Sequence, residues 1–287
     1  MANLRAIRAR IKSVENTRQI TKSMKMVAAA KLRRTQSAFS ALKTYAEKSE
    51  EVLKEASIGL NTEENPYLLM HDGTGKVCYV MIVGNRGLCG TYNHSLLRFC
   101  AELLRKEERE TMLITCGRWG KDIIKASGLK VQENYEVSDS PNREEALKLA
   151  EELKTLYREN KVDEIILVYQ HYRSVLSQVP ASERLLPLSN VTEESESRPI
   201  FEPEQKTIVD TLVNMYIGNT VYAALLEART GEHSARMTAM TAAADNTDEL
   251  INDLTLKLNH ARQSAITTEI SEIAGGAEAL RNNTAGG

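Results

Sequence analysis

Gly84, Gly87 and Gly90 follow an apolar run and precede a helical pattern, the place where backbone amides can cradle a nucleotide phosphate. Their spacing is GxxGxxG, not GxGxxG, and no acid stands at a strand end about 20 residues further on. A tight strand-to-helix turn uses the same glycines and needs no ligand. Gly73-Thr74-Gly75-Lys76 and Gly117–Lys121 also have the flavour of phosphate loops, but neither completes GxxxxGK(S/T). Met70 occupies the position where the first of them needs glycine. The five histidines, His71, His94, His171, His233 and His260, lack metal-ligand spacing with cysteines or acids. Cys78, Cys89, Cys100 and Cys116 fall in expected strands, a helix and a turn, and form no CxxC pair. They read as reduced small residues of a cytoplasmic protein. With no nucleophile elbow either, the chain is expected to hold no catalytic residue, cofactor or metal, which favours a structural or mechanical role.

Such a role needs elements of unusual length, and the chain has them. Its first 58 residues contain neither glycine nor proline, and between Gly218 and Gly275 only Gly231 interrupts. Apolar residues at Leu4, Ile7, Ile11 and Val14, then Ile20, Met24 and Val27, step by threes and fours as on a helix with one buried stripe. Leu250, Leu254, Leu258, Ala261 and Ala265, then Ile273, Ala277 and Leu280, repeat the pattern near the other end. Ala28-Ala29-Ala30 and Ala242-Ala243-Ala244 supply small seams. The two stripes predict the halves of one antiparallel coiled coil, since isolated helices of this kind would be marginal.

The middle alternates between periods. Val77–Val83 and Asp163–Gln170 read as buried strands, Thr111–Thr115 as another, with helices to about Glu107, over Lys121–Ala126 and from Pro141 to about Glu159. Ser174–Val179 and Arg184–Leu188 suggest a hairpin turning near Pro180 and Ala181, and 190–206 a linker. The fold class is therefore α/β: a long antiparallel coiled coil of the terminal helices with a central, mostly parallel, Rossmann-like α/β domain. The expected divisions are 1–58, 76–190 and 205–284.

Net charge is −2, yet residues 1–36 carry ten basic side chains against Glu15 alone, while Glu193–Glu204 holds five glutamates and one arginine. The basic stretch continues its apolar pattern into Met24 and Leu32 and has few serines, so it reads as helix and not as a transit peptide. No secretory signal is expected, and no run of eighteen apolar residues exists to span a membrane. Arg5, Arg8, Arg10, Lys12, Arg18, Lys22, Lys25, Lys31, Arg33 and Arg34 fit a nucleic-acid face, a solvated helix face or the sleeve of an acidic protein partner.

A resemblance narrows these alternatives. Ile20–Lys31 (ITKSMKMVAAAK) resembles the N-terminal helix of F-type ATP synthase γ subunits, and Arg86-Gly87-Leu88-Cys89-Gly90 the turn after the first strand of their globular domain. Ala261–Glu269 (ARQSAITTE), with Glu272, Gly276 and Ala277, fits the family's C-terminal signature. Ala235-Arg236-Met237, Ala239-Met240 and Asp245-Asn246 add a fourth stretch. The resemblance implies a non-catalytic rotor shaft that turns within a hexamer of α and β subunits, one copy per complex, driven by a membrane c-ring and touching an ε subunit. It implies coupling to β through Met24, Lys25, Arg236, Arg262, Gln263, Thr267, Glu269 and Glu272, and a ring or ε contact at Phe201 and Glu202. Lys25 departs from some relatives, which carry an acid or another residue there. The chloroplast dithiol insertion has no counterpart, so a bacterial-type subunit without redox control is implied. It would sit peripherally on the cytoplasmic face of the plasma membrane, with proton transport as the coupled process and no bound cofactor. The competing reading is a coiled-coil nucleic-acid-binding protein.

Overall fold

The computed structural model describes residues 2–58, 65–68, 73, 75–120, 128–188 and 204–284. Its elements run α1 (Ala2–Ala56), β1 (Lys76–Ile82), α2 (Tyr92–Lys106), β2 (Glu110–Cys116), β3 (Glu133–Tyr135), α3 (Arg143–Arg158), β4 (Glu164–Ser174), β5 (Ser177–Leu186) and α4 (Gln205–Thr284). The helices α1 and α4 span 55 and 80 residues. They divide between two compact units, one of residues 1–26 with 240–287, the other of 27–239.

In the first unit the segments of α1 and α4 lie antiparallel. Ala6 and Ile7 line a groove with Leu254, Lys257 and Ala261, and Arg18 reaches Asp248 at 3.0 Å. Burial on α4 recurs at Ala244, Ile251, Leu254, Leu258, Ala261 and Ala265, a spacing close to the 3.5 residues of a coiled-coil seam. The expected stripe on α1 holds from Leu4 to Val14 and then departs. Thr21 is buried, whereas Ile20 is exposed, as is Val27 where α1 enters the second unit. Continuing a 3.5-residue repeat from Val14 brings Arg18 and Thr21 to the seam, so these apolar residues turn outward. Leu250 and Ile273, expected on the seam, are exposed as well. From Ile266 to Ala277 every residue of α4 is exposed.

The second unit is built on a five-stranded sheet of order β3-β2-β1-β4-β5. The first four strands are parallel and β5 pairs antiparallel with β4. Parallel strands are covered on both faces, and β1 is buried along nearly its whole length. Val77, Tyr79 and Met81 pack with Leu96 and Cys100 of α2. Cys78, Val80 and Ile82 face the larger core, with Leu149 and Leu153 of α3 and Val213, Ile217 and Val221 of α4. Leu53 and Ala56 of α1 enter that same core, and Gln205 donates to the Ala56 carbonyl at 2.9 Å.

Several local expectations change. Pro141 stands one residue before the cap of α3, not in its first turn. Asn142 caps the helix by accepting from the Glu145 amide, and Glu145 returns the bond. The hairpin turns at Val175 and Leu176, and Pro180 sits inside β5 opposite Gln170. An edge strand tolerates a residue without an N–H. The three-residue β3 was not anticipated. The expected helix Lys121–Ala126 and the linker as far as residue 203 lie outside the described residues, while Gln205 and Lys206, where the expected linker overlaps the expected 205–284 segment, belong to α4.

Candidate functional site

On α4, Arg229, Glu232 and Arg236 follow one another by three and four residues and therefore share a helix face. Glu232 lies 2.7 Å from Arg229 and 2.6 Å from Arg236, with the side chains of Arg229 and Glu232 each 1% exposed. Burial alone would raise the pKa of Glu232, but the two guanidinium groups hold it below its usual value, so the carboxylate stays charged. Around it the cluster grips the turn after β1. The Asn85 amide donates to both Glu232 oxygens at 3.2 Å. Arg229 donates to the Val83 carbonyl and to Asn85 Oδ1, each at 3.0 Å. Arg236 donates to the carbonyls of Arg86 and Gly87 at 3.0 and 3.3 Å.

This closeness dictates the first glycine. A Cβ on Gly84 would lie 2.9 Å from Asn93 Oδ1 and 3.0 Å from Glu232 Cδ. The turn also holds Leu88 at φ 60°, in the left-handed region, with its side chain 63% exposed. A non-glycine residue there costs on the order of 1–3 kcal/mol and persists only where the surroundings impose it.

A second layer of groups backs the first. Asn85 Nδ2 donates to the Val137 carbonyl at 2.7 Å and to Asp139 at 2.9 Å. Lys31 of α1 reaches Asp139 at 2.6 Å. Partial burial works to raise the pKa of Asp139, yet hydrogen bonds from Lys31 and Asn85 drive it far below the usual carboxylate range. His233 Nε2 stands 3.1 Å from the Asp139 carbonyl, which can only accept, so the proton is on Nε2 and Nδ1 faces Arg236 at 3.4 Å. Burial lowers the pKa of His233 and keeps the ring neutral.

The chemistry available to this arrangement is holding, since every charge is spent on a fixed partner. Burial pushes the thiols of Cys78, Cys100 and Cys116 up to about 12 and raises that of Cys89. All four are free and buried, and a protonated thiol is a poor nucleophile. Among the described residues no group of histidines, cysteines and acids is placed to bind a metal, and no helix is long and apolar enough to cross a membrane.

Among the described residues that the family resemblance singled out, Arg236 alone is buried, and its guanidinium is committed within the second unit. In the first unit Met24 is half-buried, and Lys25, Arg262, Gln263, Thr267, Glu269 and Glu272 are exposed. Ile266, Ile270 and Ile273 lie exposed beside the last five, an apolar surface of the sort that marks an interface. Phe201 and Glu202 lie outside the described residues. Arg18 and Lys22, counted among the basic face, pair with Asp248 at 3.0 and 3.6 Å. Sequence reasoning missed Arg229, Glu232, Asn85 and Asp139. The signal for the first two was present, as charges spaced three and four apart in a stretch otherwise rich in small residues.

Comparison with known proteins places this geometry in a family. A family model described as ATP synthase matches residues 3–280. The chain is 41% identical over 283 residues to the ATP synthase gamma chain of Moorella thermoacetica, covering 98% of this chain and 100% of that one. It is 42% identical over 281 residues to the ATP synthase gamma chain of Desulfitobacterium hafniense, with the same coverage of 98% and 100%. Among solved structures it resembles a chain of the central stalk and c-ring of the Tetrahymena thermophila mitochondrial ATP synthase, with TM-score 0.61, 25% identity, and 78% and 99% of the two chains covered. A chain from the Euglena gracilis mitochondrial enzyme shares the fold at TM-score 0.74 and 21% identity, over 100% of this chain and 97% of that one. The chain belongs to the γ-chain family of ATP synthases.

Proposed function

We propose that this chain is the central rotor shaft of an F-type ATP synthase, coupling proton transport to ATP synthesis and hydrolysis at sites carried by other subunits. The observation that carries this reading is the match to γ chains along essentially the whole length, termini included. The paired segments of α1 and α4 supply a stiff element, and the site described above is suited to holding parts together, not to bond chemistry. In this reading 1–58 and 205–284 form the shaft and 76–190 the attached domain. One copy stands within the α and β hexamer and engages the ε subunit and the c-ring, peripheral to the cytoplasmic face of a bacterial plasma membrane. Met24, Lys25, Arg262, Gln263, Thr267, Glu269 and Glu272 are the surface that meets the β subunits. Arg236 serves from inside by fixing the turn after β1. Phe201 and Glu202 belong to the foot.

ATPase activity of cognate α and β subunits, measured with and without this chain and beside the chain alone, tests the reading. A stable complex whose turnover depends on the chain, with the chain inert alone, is the expected result. Failure to associate with α and β overturns it.

A further inference from the structure

We propose that Glu232 is a positioning residue for rotary coupling: it locks the turn Asn85–Gly87 to α4 so that turn and helix move as one body. The inference rests on the rotor reading above and assigns a role to a residue outside the proposed β-facing surface.

Two buried arginines converge on one buried carboxylate; Arg236 also holds backbone of the turn, and Arg229 holds the Asn85 side chain and the Val83 carbonyl just before it. Glu232 is the group that lets both cations remain in the protein interior. It also takes the Asn85 amide directly. The turn therefore meets α4 through hydrogen bonds to charged groups, which are stronger than those between neutral ones. Apolar packing is non-directional and permits sliding; a carboxylate fixed between two guanidinium groups does not. Gly84 allows the approach, because any side chain there would strike Glu232 or Asn93. The turn so gripped carries Leu88, exposed and held in the left-handed region. Its backbone strain requires support from outside the turn, and the described hydrogen bonds from Arg236 fall on the residues immediately before it.

Glu232→Gln in the assembled, membrane-reconstituted complex tests the proposal. Two quantities are read: ATP hydrolysis and ATP-driven proton pumping, compared as pumping per ATP consumed. Glu232→Gln is expected to lose pumping relative to hydrolysis, and exchange of the Asn85–Gly87 amides should quicken roughly tenfold. The core variant Leu153→Ala lowers stability without touching the cluster and should keep the wild-type ratio. Where Glu232→Gln fails to assemble, Asn85→Ala decides. It leaves the three charges together, cuts the side-chain anchors of the turn and should lower the ratio as well. A wild-type ratio in Glu232→Gln complexes, or in Asn85→Ala complexes where the first variant does not assemble, overturns the proposal. The same loss in Leu153→Ala also overturns it, by showing that general stability is what was read. A wild-type complex that hydrolyses ATP without pumping overturns the rotor reading itself, and this inference with it.

Discussion

Lys31 and Asp139 stand 108 residues apart in the chain and meet at 2.6 Å. The ion pair joins α1 to the segment after β3, and Asn85 bonds the same carboxylate from the turn after β1. A lysine of the basic N-terminal stretch thus reaches into the support of the buried cluster on α4.

Because the folded pKa of Asp139 is depressed, its contribution to stability is present above the unfolded value of about 4 and is lost as pH falls through the folded one. Lys31→Met should cost about 1 kcal/mol at neutral pH, a figure kept small because both side chains are partly exposed. Urea denaturation of wild type and variant should show the gap narrowing as the pH is taken below about 4. A gap that stays constant into acid would show that packing of the lysine stem, not charge, sets the cost.

His171 carries the opposite sign. Its hydrogen bond to Glu227 at 3.1 Å raises its pKa against the opposing effect of burial. The stabilisation is full below the unfolded value of about 6.5 and fades as pH rises through the folded one. Thermal melts of His171→Ala should therefore lie furthest below wild type near pH 5.5 and approach it near pH 8.5. The effect should stay under about 1 kcal/mol because the imidazole is 41% exposed, although Glu227 is buried.

Two glycines within α4 should respond differently to alanine, although alanine is the better helix former by about 1 kcal/mol at either position. At Gly231 the new Cβ would stand 3.1 Å from the Tyr92 ring, which is pinned by its hydroxyl to the Ala228 carbonyl at 2.6 Å. Gly231→Ala should destabilise by about 1 kcal/mol. At Gly218 the Cβ would meet only the end of Leu147, a side chain 43% exposed and free to rotate away. Gly218→Ala should be neutral to stabilising by about 0.5–1 kcal/mol. Denaturant midpoints of the two variants check the contrast.

Arg262 and Gln263 are adjacent, exposed and next to apolar surface left uncovered in their unit. In the double alanine variant, chain stability should change by less than about 0.5 kcal/mol, while proton-driven ATP synthesis by the assembled complex should fall clearly. Unchanged synthesis would remove these two residues from the proposed coupling surface.

The long helices were legible because they depend on local facts, the absence of breakers and a three-to-four spacing. The parallel strands were legible from Val77–Val83 and Asp163–Gln170, since burial on both faces demands an unbroken apolar run. What the sequence concealed required partners distant in the chain. Ile20 and Val27 look like seam residues until the pairing with α4 turns Arg18 and Thr21 inward instead. Pro180 looks like a turn until β5 is known to be an edge. Glu133–Tyr135 has no apolar pattern and joins the sheet only because β2 offers it a parallel neighbour. The ionic cluster shows the same limit most clearly: the helical spacing of Arg229, Glu232 and Arg236 was readable, but their shared target, the backbone of Val83–Gly87, was not.

Pro180 has one more consequence. A γ chain must exist for a time between synthesis and assembly into its complex, and during that interval β5, an edge strand, can meet other chains. Edges of this kind template intermolecular β-pairing unless they are blunted. A residue with no N–H in mid-strand, followed by Glu183 and Arg184, makes β5 a poor template. Pro180→Thr should leave the folded chain intact yet raise light scattering from concentrated, unassembled protein. The proline that misplaces the hairpin in the sequence is thus, in the folded chain, a guard on the sheet's open edge.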